Sequence, residues 1–357
     1  MKINVLIIRY LFILIICKSF LYPFQEPEVS VTKENWKEIS SRLSRFLAAP
    51  TANFADIKKI EDLSYWTDVY DEINGGSYIK ALFSRHFKVE DIDNTSMEII
   101  YYLLNEFAYP ANWWEDYGIK PIIKRIIEIT KAKPEWFFED LVKRDCWKQY
   151  LRLILLDGSN ELKRFLDFIP SSYSKQEILN FIEIYEEEKR TEVQRLEEFL
   201  LNPIDNFELI KNIYCICSVM YTRDKLYIDE NKNLPDEYFS AGVIEDYIRE
   251  SPDEEKIKIL IHLILHCIPS GVYPYVLAEL GSEMFFEYPE LFARSLSVYK
   301  RWRSIIYGLK EFIFARDPGY KKVISRLGKT EFEKKLKDEL IFLSSLIEKK
   351  YGESHEN

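Results

Sequence analysis

Two imidazoles stand at helical spacing in His262-x3-His266, and a thiol comes directly after them at Cys267. Residues four apart share a helix face, so the pair could chelate one ion such as zinc, although no cofactor is expected. The hydrolytic form of this spacing places Glu after the first His as general base. Leu263 stands there instead, so that motif is absent. Cys267 lies about 100° round a helix from His266, and Cys215-x-Cys217 could add thiolates if folded nearby. The competing reading is structural. His262 and His266 continue a polar stripe with Lys258, while Ile257, Leu260, Ile261, Ile264 and Leu265 fill the other faces. Lys258 would repel a bound cation. His266 falls in a last helical turn, where a partly protonated imidazole suits the helix dipole. A Cys267 nucleophile served by His266 is a third option. Adjacent helical residues point apart, and catalytic Cys–His pairs are assembled from distant segments, so a buried inert thiol fits better.

Other chemistry-bearing residues are less organised. Trp113-Trp114-Glu115-Asp116 mixes aromatics with acids, as a carbohydrate-binding surface does, or as a turn does when it folds two rings onto a core. Glu186, Glu187 and Glu188 are consecutive, so they spray round a helix and read as a solvated face. Gly75-Gly76 lacks the pattern of a phosphate loop, and no Gly-x-Ser-x-Gly elbow occurs. Asn94-Thr95-Ser96 matches a glycosylation acceptor. No catalytic residue and no cofactor-binding residue is assigned.

The N-terminus carries targeting chemistry. Lys2 precedes an apolar stretch, Arg9 interrupts it, and an apolar run of eight residues, Tyr10 to Cys17, ends at Lys18. That order is expected of an export signal, and the run is well short of the ~20 residues that span a bilayer. Three fates compete. Cleavage after Ser19 would use Cys17 and Ser19 as its small residues, with Lys18 awkward between them. Lipid attachment at Cys17 would use Leu14-Ile15-Ile16-Cys17 as a lipobox, with Ile16 departing from the pattern. The third is an uncleaved anchor. Pro23 and Pro27 separate the segment from the rest of the chain.

The elements that must position these residues read as helices almost throughout. Trp36, Ile39, Leu43, Phe46 and Leu47 define one face over 33–48. A long helix is expected over 174–202, opened by Ser174-x-x-Glu177 and closed by Asn202-Pro203. Ser251-Pro-Asp-Glu254 reads as N-cap Ser, first-turn Pro and Glu at N3. Thr330-x-x-Glu333 repeats the box before a helix over about 330–350, with Phe332, Leu336, Leu340, Leu343 and Leu346 on one side. Residues 226–234 read as a hairpin-like turn or a plain loop.

One internal echo stands out. Pro134-Glu-Trp-Phe137 with Leu141 and Trp147-Lys148 matches Pro289-Glu-Leu-Phe292 with Leu296 and Trp302-Arg303, at an offset of 155 residues. Pro121 and Pro274 stand upstream. Each copy predicts helix, turn, Pro-started helix. Either a true repeat or the general preference for Pro-Glu at helix starts would produce it.

Composition sets the outer bounds. An apolar content of 47% with 15% aromatics supports a large core, and 11 Gly in 357 residues argues against an all-β chain. The net charge of −10 opposes nucleic-acid binding and adsorption of the body to anionic lipid. Four cysteines beyond Cys17 (Cys146, Cys215, Cys217 and Cys267) allow disulfides if the chain is exported, though Cys215 and Cys217 point apart on a helix. The expected fold is all-α, a solenoid-like array that resembles HEAT-like arrays in the coarse sense, or an irregular multi-helix bundle. The expected organisation is a leader at 1–19, helical lobes at 28–170 and 172–350, and a disordered tail at 351–357. The expected function is a non-enzymatic, exported scaffold in the periplasm or cell envelope. It would bind a protein or peptide partner and no nucleic acid, and meet the membrane only through its leader. A metal-binding protein or hydrolase using His262 and His266, and a carbohydrate-binding surface at Trp113 and Trp114, are the alternatives.

Overall fold

The computed structural model describes residues 33–107, 119–144, 147–152, 154–155, 173–213, 216–230, 239–266, 272–314 and 319–352. Among them every regular element is a helix, and the fold is all-α. The N-terminal helices are α1 (Lys33–Ala48), α2 (Pro50–Ile57), α3 (Leu63–Asn74), α4 (Tyr78–Arg85), α5 (Asn94–Glu106), α6 (Ile119–Ala132) and α7 (Pro134–Val142). A 3-10 turn, Val89–Asp91, precedes α5. The middle of the chain gives α8 (Tyr173–Leu201), α9 (Phe207–Ile210), α10 (Ile216–Glu230) and α11 (Ser240–Glu250). The C-terminal helices are α12 (Glu254–His266), α13 (Val272–Glu287), α14 (Pro289–Leu296), α15 (Trp302–Phe314), α16 (Gly319–Arg326) and α17 (Glu331–Gly352).

The apolar stripes go where their periodicity sends them. Leu43 and Phe46 of α1 are fully buried, with Trp36, Ile39 and Leu47 packed at the margin. Leu336, Leu340 and Leu343 of α17 are buried in the same way. The Thr330 hydroxyl accepts the Glu333 amide at 3.1 Å, and Glu333 reaches back to the Gly328 and Lys329 amides at 3.1 and 2.7 Å. Both arms of that capping box therefore work, one residue wider than the simplest form.

Several local expectations are corrected. The cap of α12 is Asp253, not Ser251: the Asp253 carboxylate accepts the Lys256 amide at 2.9 Å. Ser251 stands at the C-terminal end of the preceding helix, and its hydroxyl accepts the Lys256 ammonium at 3.3 Å instead. Residues 226–230 continue α10, so a hairpin there is excluded. Its run of Leu226, Tyr227 and Ile228 extends an existing helix at little further entropic cost. The last helix continues to Gly352, two residues into the segment expected to be disordered. The leader with Cys17, the expected break between lobes at 170–172, residues 231–234 of the expected turn and residues 353–357 lie outside the described residues.

The Pro-Glu echo has a geometric counterpart. Lys133 and Tyr288, the residues before each proline, adopt nearly the same backbone, φ −137°, ψ 60° and φ −128°, ψ 55°. The proline that comes next disfavours the helical region for the residue before it, and both residues stand outside that region. Phe137 and Phe292 are both fully buried, as are Leu141 and Leu296. Each copy's tryptophan lies in the next helical stretch and meets a later phenylalanine edge-on. Trp147 meets Phe181 at 5.4 Å and 64°, and Trp302 meets Phe332 at 5.2 Å and 72°. Gly281 of α13 allows the second copy to close on α12. A Cβ there would lie 2.6 Å from Ile264 Cδ1.

The two ends of the described chain touch: α3 packs against α15, and α1 packs against α3. Asp62 is the hinge of this contact and the only non-glycine residue at positive φ among those described, at φ 53°, ψ 53°. Its carboxylate takes the Ser304 amide at 3.2 Å and the Ser304 hydroxyl at 2.6 Å. It thus caps α15 from a segment 242 residues away. Asp visits the left-handed region more readily than most side chains, because its short polar arm bonds locally.

Candidate functional site

Three places bring chemistry together, and the histidine pair is the first. Asp253 caps α12, and that helix carries His262 onto a face packed by α9. The ring is 7% exposed and meets Phe207 edge-on at 5.2 Å and 90°. The polar stripe expected with Lys258 is therefore broken, since Lys258 turns outward to Glu254 and Glu255 at 3.0 and 2.9 Å. The His262 ring bonds the Ile210 carbonyl, while Nε2 is buried without a hydrogen-bond partner, which leaves Nδ1 to face that carbonyl. His266 lies with its ring centroid 4.3 Å away, tilted by 37°. Burial, and then the neighbouring His266, lower His262 to about 3. Burial lowers His266 to about 4. Both rings are neutral at ordinary pH, so the expected partly protonated imidazole at the helix end is corrected: desolvation outweighs the helix dipole.

Cys217 is buried in α10, which packs against α12, and it is disulfide-bonded. Cys17, Cys146, Cys215 and Cys267 lie outside the described residues, as do Trp113 and Trp114. Among the described residues no group of three or more His, Cys, Asp or Glu is placed to hold a metal ion.

The second place is a cleft of about 460 Å³ lined by Ile92, Asp93, Asn94, Thr95, Lys133 and Trp136. Asp93 caps α5 by accepting the Ser96 amide at 2.8 Å, which sets the first turn of α5 against the α6–α7 turn. Lys133 is held between the Glu90 and Ile92 carbonyls at 3.3 and 3.4 Å, with its ammonium 5.8 Å from the Trp136 ring centre. Asn94 and Thr95 are exposed. Trp136 is the variable position of the first Pro-Glu motif, where the second copy has Leu291.

The third place is an ionic clasp between the ends of the chain. Glu106 pairs with Arg301 at 3.3 Å, and Arg303 donates to Glu339 at 3.0 Å. Lys310 pairs with Glu72, which also accepts the Tyr307 hydroxyl at 2.9 Å. The Tyr65 hydroxyl donates to Glu339, which is fully buried at 0% exposure. Burial raises Glu339, an effect opposed by Arg303 and by the Tyr65 bond. Burial raises Glu106, against the pull of Arg301.

No protein family, curated protein or solved structure matches the chain. Sequence reasoning passes over the clasp, although the residues carry a signal for it. Glu72 falls on the same stripe as Tyr65 and Val69, at i, i+4 and i+7, while Arg303, Tyr307 and Lys310 keep the same spacing on α15. A charge on an apolar stripe marks a buried partner elsewhere in the chain. Among the described residues no helix is long and apolar enough to cross a membrane.

Proposed function

We propose that this chain is an exported, non-enzymatic helical scaffold that binds a protein or peptide segment in a groove between helices. The observation that carries the proposal is the cleft beside Trp136. Its volume of about 460 Å³ falls in the range of ~300–1,000 Å³ that receives a ligand. Trp136 is anchored in α7 and offers a large apolar face of the kind that dominates binding energy at peptide interfaces. The pinned Lys133 adds a cation with little side-chain entropy left to lose. Asn94 and Thr95 supply exposed donors and acceptors at the rim.

The matched geometry of the two Pro-Glu units favours a duplicated structural unit. The contact of α3 with α15 favours a closed, irregular bundle over an open solenoid, in which each unit touches only its neighbours. The order of charges in the leader and the disulfide at Cys217 support export to an oxidising compartment, periplasmic or cell-envelope. The chain is then either released by cleavage after Ser19 or tethered through a lipid on Cys17.

The test is a selection of displayed random peptides against the intact, oxidised chain, followed by affinity measurements. Trp136→Ala should weaken the selected peptides tenfold or more, about 1.4 kcal/mol. Tyr275→Ala, at an exposed ring remote in sequence from the cleft, should leave them unchanged. Peptides indifferent to Trp136→Ala would overturn the proposal. The buried Nε2 of His262 favours one second reading, an ion such as zinc held by His262 and His266. Stoichiometric metal in untagged protein, lost on His262→Ala, would replace the scaffold reading with that one.

A further inference from the structure

The two Pro-Glu motifs follow the same kind of helix start and close on it differently. The Asp93 carboxylate caps α5 by accepting the Ser96 amide at 2.8 Å, and the Asp253 carboxylate caps α12 by accepting the Lys256 amide at 2.9 Å. One helix lies between each of these and its Pro-Glu helix, α6 before α7 and α13 before α14. In the second set α14 packs directly against α12. Arg294 of α14 reaches the Glu254 carboxylate at 3.4 Å, and the Ser295 hydroxyl donates to the Glu254 carbonyl at 3.2 Å. At the offset of 155 residues, Glu139 and Asp140 take the places of Arg294 and Ser295. The first residue of α5 is Asn94, where α12 has Glu254. Asp140 is paired with Arg144 at 2.9 Å. The cation that ties the second set together is therefore an acid in the first, and the first set has the cleft beside Trp136.

We infer, on the peptide-binding reading of this cleft, that the segment it receives is basic. An arginine or lysine side chain of the partner lies over Trp136 and pairs with Glu139, supplying from outside the cation that Arg294 supplies within the second set. The charges around the cleft favour it. Over 88–95 and 131–139 the chain carries Glu90, Asp91, Asp93, Glu135 and Glu139 against Lys88, Lys131 and Lys133, five carboxylates to three ammonium groups. Glu135 and Glu139 stand four apart on α7, and Glu139, three on from Trp136, neighbours it on the helix surface. Both are exposed, and neither is ion-paired among the described residues. Lys133, the cation within the cleft, already donates to the Glu90 and Ile92 carbonyls. An ammonium has three donors, so one is left for a carbonyl of the bound segment. The Asp93 carboxylate covers the positive end of α5, which removes its attraction for an anion. Trp136 offers the aromatic face on which a guanidinium stacks. An acidic segment would meet like charge along the whole rim.

Three displayed peptide libraries test this, identical except that their fixed charged positions carry arginine, glutamate or glutamine. Each is selected against the intact, oxidised chain, and the binders are measured by fluorescence anisotropy. The arginine library should give the tightest Trp136-dependent binders, about tenfold or more ahead of the other two. Glu135→Gln combined with Glu139→Gln should weaken them by about threefold to tenfold, as expected for two exposed ion pairs. Glu183→Gln combined with Glu187→Gln removes the same charge from exposed positions of α8 and should leave them unchanged. That control separates pairing at the cleft from general attraction to an acidic chain. Tightest binders from the glutamate or glutamine library would overturn the inference, as would equal losses in the two double variants. If those binders still weaken on Trp136→Ala, the peptide-binding reading stands and only the basic partner falls. If no library gives a Trp136-dependent binder, both fall.

Discussion

Replacing His262 with Phe isolates the energetics of one buried imidazole. The ring is 7% exposed and lowered to about 3, against about 6.5 in an unfolded chain. Above pH 6.5 the ring is neutral in both states and contributes nothing to the pH dependence. Below pH 6.5 the unfolded chain takes up a proton that the folded chain refuses, so stability falls with falling pH, at about 1.4 kcal/mol per unit. At pH 5.0, 1.5 units below the unfolded value, the loss reaches about 2 kcal/mol. With the ring so little exposed, solvent screening removes little of it. The Phe variant has no such titration. It forfeits the bond to the Ile210 carbonyl, about 1 kcal/mol, and is relieved of a buried orphan Nε2, a gain of similar size. It should therefore match the unaltered chain at pH 7.5 and exceed it by about 2 kcal/mol at pH 5.0. Urea unfolding at both pH values, followed by far-ultraviolet circular dichroism with the disulfide intact, reads this difference. The raised carboxylates of the clasp act in the opposite direction, but both proteins retain them, so they cancel. A difference that does not change between the two pH values would refute the idea that burial holds this imidazole neutral.

Two further outcomes test the local structure by the same unfolding assay. Phe137→Ala and Phe292→Ala should each cost about 3–5 kcal/mol and agree within about 1 kcal/mol, because both rings are fully buried at the same position of the two Pro-Glu motifs. A large disparity would separate the two units. Asp253→Ala should cost about 0.5–2 kcal/mol, whereas Ser251→Ala should cost less, since Asp253 and not Ser251 takes the Lys256 amide. The reverse order would restore Ser251 as the cap.

The contrast between those two residues shows that local signals give the kind of element and leave its detail open. Ser-Pro-Asp-Glu announces a helix start, and a helix starts there. Choosing between Ser251 and Asp253 depends on which side chain can turn toward the Lys256 amide, a matter of backbone path that composition does not carry. The histidine pair is legible as a spacing, but its surroundings are not. His262 is two residues from the fully buried Leu260 and shares a face with Lys258, so periodicity places it on a polar stripe. Its burial comes from Phe207 and Ile210 on a short helix that no sequence signal singles out. In the sequence Trp136 is only the variable letter of a motif, because a cleft is a relation between α5 and the α6–α7 turn and belongs to neither alone.

The sequence by itself determined the all-α class, the faces of α1, α8 and α17, and the Pro-started helices of both Pro-Glu motifs. These arise from forces acting within four residues or so: side-chain periodicity, capping and the steric demand of proline. Tertiary structure alone decided that Asp62 caps a helix beginning 240 residues later, that Tyr65 and Arg303 meet on Glu339, and that two histidines lose their charge. Such contacts depend on which faces the whole chain brings together and how far water is expelled from between them, and a local pattern of residues records neither.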